Sequence, residues 1–314
     1  MYARWLPRLL WMGLLVILGC VPPSTNKGES ISETLKQADI HYELGLNFLT
    51  QGKTAQAIQE LTTAQGMSPN NPNIEHALGL AYQQKGMYDK AIEQYQKALT
   101  LDPKLTEARN NMGTAYIAKG NYDQAIVEFR ECLKDTDYAT PERPEHNLGM
   151  AYLLKKDIDK AIHHFERSIK LHPENPETLF RLAMCYQMKG EMSMVMQLLK
   201  NIVAIAPDYP GANYQLGLLY EEQKDYTNAF AALKKAVQVE PENMKAHLRL
   251  GQVLLRLNKE EEALKHLEIV TKVAPGTPLA KEAVEAIAKA KKKNRFQGIP
   301  KVNLFNTSAS QYLL

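Results

Sequence analysis

A small residue inside the pattern Leu-Gly-x-x-Tyr returns seven times, at Gly45, Gly79, Gly113, Gly149, Ala183, Gly217 and Gly251. The step is 34 residues throughout, except for one of 36 between Gly113 and Gly149. Twelve residues after each comes a second small slot, at Ala57, Ala91, Ala125, Ala161, Val195, Ala229 and Ala263. A proline closes six of the seven units, at Pro69, Pro103, Pro173, Pro207, Pro241 and Pro275. A period this strict constrains the fold more than any other property of the chain, because each unit must be one supersecondary element that buries its apolar face against its neighbours.

Small residues at the two slots let two helices of one unit approach closely. Aromatic residues at Phe48, Tyr82, Tyr116, Tyr152, Tyr186 and Tyr220, and bulky ones at Leu61, Tyr95, Phe129, Phe165, Leu199, Leu233 and Leu267, are then expected in the seams between units. The pattern resembles the tetratricopeptide repeat. That resemblance implies an all-α fold, an α-solenoid of helix-turn-helix repeats wound as a right-handed superhelix, with seven repeats over residues 31–275. Ser30 and Glu33 stand at capping-box spacing and set the expected helix start near Ile31. From Thr277 to Lys292 the chain reads as one amphipathic helix with Leu279, Ala283, Ile287 and Ala290 on one side, a capping helix assigned to residues 276–293. Residues 294–314 form a tail with apolar residues but no helical period, left open between disorder and folding back on the repeats.

The first nineteen residues begin with Arg4 and Arg8 and continue into an apolar run from Leu9 to Leu18. A spanning helix needs about 20 apolar residues, so residues 1–19 read as an export signal. The ending Ile17-Leu18-Gly19-Cys20 resembles the lipobox of bacterial lipoproteins, which implies acylation of Cys20 and an anchor in the membrane. Each buried methylene contributes about 0.8 kcal/mol, and several chains on one residue hold durably. Val21, in place of the aspartate that retains enteric lipoproteins in the inner membrane, points to the outer membrane, facing the periplasm. Residues 20–30, with two prolines and several turn formers, read as a flexible tether.

A formal net charge of +3 on 314 residues, without a basic stripe interleaved with aromatics, argues against nucleic-acid binding. No HExxH, G-x-S-x-G, phosphate loop or cysteine-metal framework is present, so neither an enzyme nor a cofactor or metal site is expected. Cys132 and Cys185 fill slots that other units give to alanine and are expected to be small, buried, unpaired core residues.

Function is then expected on the face lined by the first helix of each unit. Its fifth position holds Tyr42, His76, Asn110, His146, Phe180, Tyr214 and Leu248, and its ninth Leu46, Leu80, Thr114, Met150, Met184, Leu218 and Gln252. The twelfth adds Leu49, Ile117, Leu153 and Leu255. Five of the seven ninth positions are apolar, which suits a groove for an apolar helix or extended segment of a partner. Unit five gathers Met184, Met188, Met192, Met194 and Met196, and its Ala183 and Val195 should set its helices slightly farther apart.

The lipobox followed by such repeats resembles the type IV pilus stability lipoproteins, or pilotins. Asn110-Asn111-Met112-Gly113 and the enlarged junction from Asp135 to Gly149 are similar to that family's third unit and following loop. The resemblance implies a protein partner, a secretin subunit, bound near Tyr42, Leu46, Leu49, His76 and Leu80. Most members have six units where this chain has seven. The alternative is a scaffold for another envelope complex, serving polysaccharide export, cell-wall synthesis or outer-membrane protein assembly.

Overall fold

A computed structural model describes residues 27–297, all helical apart from turns. Cys20, the leader before it and the end of the tail lie outside these residues. No described helix is long and apolar enough to cross a membrane. The chain divides into two compact units, residues 1–102 and 103–314.

The first unit holds α1 (Lys27–Thr50), α2 (Thr54–Met67), α3 (Pro72–Gln84) and α4 (Tyr88–Leu101). The second opens with α5 (Thr106–Ala118), α6 (Tyr122–Cys132), α7 (Glu142–Leu154) and α8 (Ile158–Leu171). It continues through α9 (Pro176–Lys189), α10 (Met192–Ile205), α11 (Pro210–Glu222) and α12 (Tyr226–Val239). It ends with α13 (Met244–Arg256), α14 (Glu260–Val273) and α15 (Pro278–Gln297). Within each unit helices pair in chain order, and each second helix packs on the first helix of the next pair. The fold is an all-α solenoid of helix-turn-helix repeats.

Local chemistry explains the boundaries. The residue before each closing proline, such as Ser68, Asp102 or Glu240, ends its helix in a non-helical conformation, as the proline ring requires. Asn71, Asn175 and Asn243 cap the next helix by accepting a hydrogen bond from a backbone N–H of its first turn. Between the two helices of a repeat the backbone turns through one left-handed residue. Gly52, Gly86, Gly120 and Gly190 take it in four repeats, Lys156, Lys224 and Asn258 in the other three. The expected cap at Ser30 is not used: α1 starts at Lys27, and Ser30 lies inside it. Nothing between Lys27 and Ser30 breaks a helix outright, so a helix nucleated downstream propagates back through them.

Six of the seven repeats close on their own glycine. A Cβ added to Gly79 would sit 2.4 Å from the Tyr95 ring, and one on Gly149 would sit 2.6 Å from Phe165. Leu61, Phe129, Leu233 and Leu267 meet Gly45, Gly113, Gly217 and Gly251 in the same way. These bulky side chains therefore pack within their repeat, whereas the sequence assigned them to the seams between repeats. The reason is steric: the missing Cβ leaves a hole on the first helix that only a side chain on the facing helix of the same hairpin can fill. Leu148 and Leu182, both fully or almost fully buried, belong to a core cluster that runs through successive repeats.

The 36-residue step is a rebuilt junction. α6 has 11 residues where the other second helices have 14, and the chain then crosses from Leu133 to Pro141. Thr106 donates to Asp135 at 2.5 Å, and Glu107 accepts from Tyr138 and Arg143, each at 2.6 Å. The connection is thus pinned to the start of α5. At the far end α15 covers the last repeat, with Ala283 joining Leu248, Leu267 and Val270 in one buried cluster.

Candidate protein-binding groove

In the first unit α1 and α3 present the predicted residues. Tyr42, Leu46 and Leu49 are half-buried against the core around Leu61 and Ile74, so each keeps part of its surface free. His76 lies with its ring 5.8 Å from that of Tyr95, and Leu80 beside it is half-exposed. Gln84 donates to the carbonyl of Leu49 at 3.4 Å and ties α3 to α1. α1 runs eleven residues ahead of the point where the repeat register begins, at Ala38. Ile31 and Leu35, on this overhang, are 58% and 47% exposed. At 3.6 residues per turn they share the face of Tyr42, Leu46 and Leu49, and they more than double the length of the apolar stripe.

The same positions in the second unit behave less uniformly. Asn110 is 1% exposed, so it is not a wall of the groove as expected. It accepts from Asn147 Nδ2 at 2.9 Å and joins α5 to α7, while its own amide N–H groups are buried without a partner. The two first helices approach closely enough there to cover it. His146 is half-buried, 2.8 Å from Thr178 Oγ1, with its ring edge toward Phe165; burial pulls its pKa below the usual value and favours the neutral ring. Met150 and Met184 are half-exposed, as are Leu218 and Tyr214, whose hydroxyl burial pushes up in pKa. Phe180 packs 5.4 Å from the ring of Tyr209, whose hydroxyl donates to Glu177 at 2.8 Å. Arg181 donates to the same carboxylate at 2.7 Å and, with Tyr209, holds its pKa low.

Every ninth position, from Leu46 to Gln252, keeps partial exposure, while the small slots opposite are sealed. Within each unit such positions offer apolar steps separated by polar rungs. Tetratricopeptide-repeat profiles match residues 38–71, 84–120, 105–136 and 220–287. The chain is a tetratricopeptide-repeat protein.

A profile described as anaphase-promoting complex, cyclosome, subunit 3 also matches residues 154–236, and none of these profiles describes a catalytic family. No curated protein matches the sequence. Among solved structures, a chain from the functional characterisation of pilF of Pseudomonas aeruginosa is 21% identical, covering 82% of this chain and 99% of that one, with a TM-score of 0.50. A chain of the Cut9–Hcn1 hetero-tetramer of the APC/C is 18% identical over 83% of this chain and 52% of that one, at 0.57. A tetratricopeptide repeat protein from Parabacteroides merdae is 16% identical over 81% and 99%, at 0.54. At these identities the likeness is one of fold.

Tetratricopeptide-repeat units bind protein partners, and Leu154 on this one was missed from sequence. It lies one residue past the twelfth position, is well exposed and widens the apolar surface of α7, as Met188, singled out with the unit-five methionines, does that of α9. Its helical register carried the signal. Toward the end of the second unit the face becomes charged instead. A cleft of about 700 Å³ is lined by Glu221, Arg249, Arg256, Glu282 and Lys289, and Gln252 donates to Glu282 at 2.8 Å. In unit five Met192 is exposed, while Met194 and Met196 pack on the core. Among the described residues no group of His, Cys, Asp and Glu is arranged to hold a metal ion.

Proposed function

We propose that this chain is a non-enzymatic scaffold, tethered by lipid on Cys20 to the bacterial outer membrane, that grips a secretin subunit of a pilus-type assembly through its first repeats. The observation that carries the reading is the stripe on α1, where the exposed Ile31 and Leu35 continue the line of Tyr42, Leu46 and Leu49. An amphipathic helix or extended strand of a partner lays its apolar side chains on such a stripe. Covering the exposed half of either residue contributes about 1 kcal/mol, before the ordering costs of association.

The lipobox-like Ile17-Leu18-Gly19-Cys20 supports the tether, and the pilotin-like junction from Asp135 to Gly149 supports the choice of partner. A photo-cross-linking residue at Leu35, in cells producing the full chain, should capture secretin subunits, and L46D should abolish capture. Secretin multimers should fall when the gene is deleted. Unchanged multimers and surface pili after deletion would reject the secretin, and the protein captured at Leu35 would then name the envelope complex served. Cys20→Ser should release the chain from the membrane fraction; full retention would remove the tether.

A further inference from the structure

Opposite in character to the groove is a cleft of about 620 Å³ between α6, α7 and α8, where the shortened α6 ends. Its apolar floor is the half-buried Leu133, backed by the buried Leu148 and Tyr152. Its rim carries Arg130, Lys160, His163 and Arg167. We propose that this cleft binds an acidic segment of a protein partner, with an aliphatic side chain on the floor and flanking carboxylates on the rim.

The rim is built for carboxylates. Arg130 is held by donation to the hydroxyl of Tyr152 at 2.7 Å, a neutral partner that orients the guanidinium without neutralising it. Lys160 stands 5.3 Å over the Tyr152 ring and pairs with Asp157 at 2.6 Å. Arg130 lines the same opening, so two cations border it. Arg167 pairs with the buried Glu145 Oε1 at 2.9 Å, while its own side chain stays 55% exposed at the rim. The one carboxylate on the rim, Asp159, is already taken by Lys189 at 2.9 Å. Planar forks of this kind recognise carboxylates in two-bond geometry.

The aromatic layer below keeps the rim in place: Tyr152 stacks on His164 with centroids 5.3 Å apart, and His164 in turn is fixed 2.8 Å from the buried Glu145. An anionic bilayer is disfavoured, because the cations ring a recess while Asp157, which caps α8, and Asp159 and Glu166 within it would repel it. A peptide of two or three residues fits the recess.

Fluorescence anisotropy of the full chain with a labelled pentapeptide of alternating glutamate and leucine tests this, beside its glutamine counterpart. The acidic peptide should bind, more weakly as salt rises. Arg130→Glu and Lys160→Glu should each weaken it about tenfold. Both side chains lie at the surface, so an unchanged thermal melt certifies the fold. The groove variant L46D should bind it like the parent, which separates this site from the one on α1. Equal binding of the glutamine peptide, or binding untouched by both reversals, would overturn the proposal. So would sedimentation with anionic phospholipid vesicles that depends on Arg130 while the peptide stays free.

Discussion

A Cβ atom built on Gly113 would lie 2.4 Å from Cε1 of Phe129, the residue sixteen places on in the facing helix. The contact turns a helix-weakening residue into a requirement. Alanine is favoured over glycine in a helix interior by about 1 kcal/mol, so ordinary propensity predicts that Gly113→Ala stabilises. The ring decides otherwise.

Gly113→Ala should destabilise the chain by about 1–2 kcal/mol, because Phe129 is fully buried and cannot withdraw. The double substitution Gly113→Ala with Phe129→Leu reproduces the pairing of Ala183 with Leu199 and should recover part of the loss. Urea denaturation followed by circular dichroism measures both. A stabilised single variant would show that the helices part without cost.

The turn residues give a test of opposite sign. Lys156 holds φ at 64° where the corresponding residue in the previous repeat, Gly120, holds 80°. A side chain in the left-handed region costs about 1 kcal/mol. Gly120→Ala should therefore destabilise by about that much, nothing lying within 4 Å of the added methyl. Lys156→Gly should stabilise by about 0.5 kcal/mol, since relief of strain is partly offset by a freer unfolded chain.

How much of this was legible in the sequence depends on what each residue reports. The register was plain, because Gly45 through Gly251 mark one face of every first helix and the single 36-residue step falls where α6 is cut short. The direction of Phe129 was not, since spacing alone cannot say whether a side chain faces its own hairpin or the next. Asn110 shares its column with Tyr42 and His76, yet only the approach of α7, through Asn147, buries it. The overhang of α1 was hidden by a capping-box spacing that the fold does not use.

Cys132 and Cys185 are buried and unpaired, as their slots indicated. Burial pushes their thiols up to about 12 and about 11. Both should resist a thiol-specific reagent at pH 8 and react at once after urea unfolding. The same shifts set an alkaline limit. Their contribution to stability is complete below pH 9, where the unfolded thiols are also protonated, and is lost as pH climbs through the folded values near 11 to 12. A urea midpoint that stayed flat between pH 9 and 11 would contradict this.

Glu107 anchors both Tyr138 and Arg143. The two hydrogen bonds to its carboxylate are half-exposed, so Glu107→Ala should cost only about 1 kcal/mol in global stability. The larger effect should be local: limited proteolysis between Lys134 and Pro141 should quicken severalfold. Equal cleavage in parent and variant would mean that Thr106 and Asp135 hold the connection alone.

Within each unit a helix packs chiefly on the elements just before and after it in the chain. Few contacts wait for distant parts of the polypeptide, so structure can form progressively as the polypeptide emerges, each finished hairpin templating its successor. Damage should be equally parochial. A lesion in α13 would loosen its immediate surroundings and leave remote hairpins with their native exchange protection.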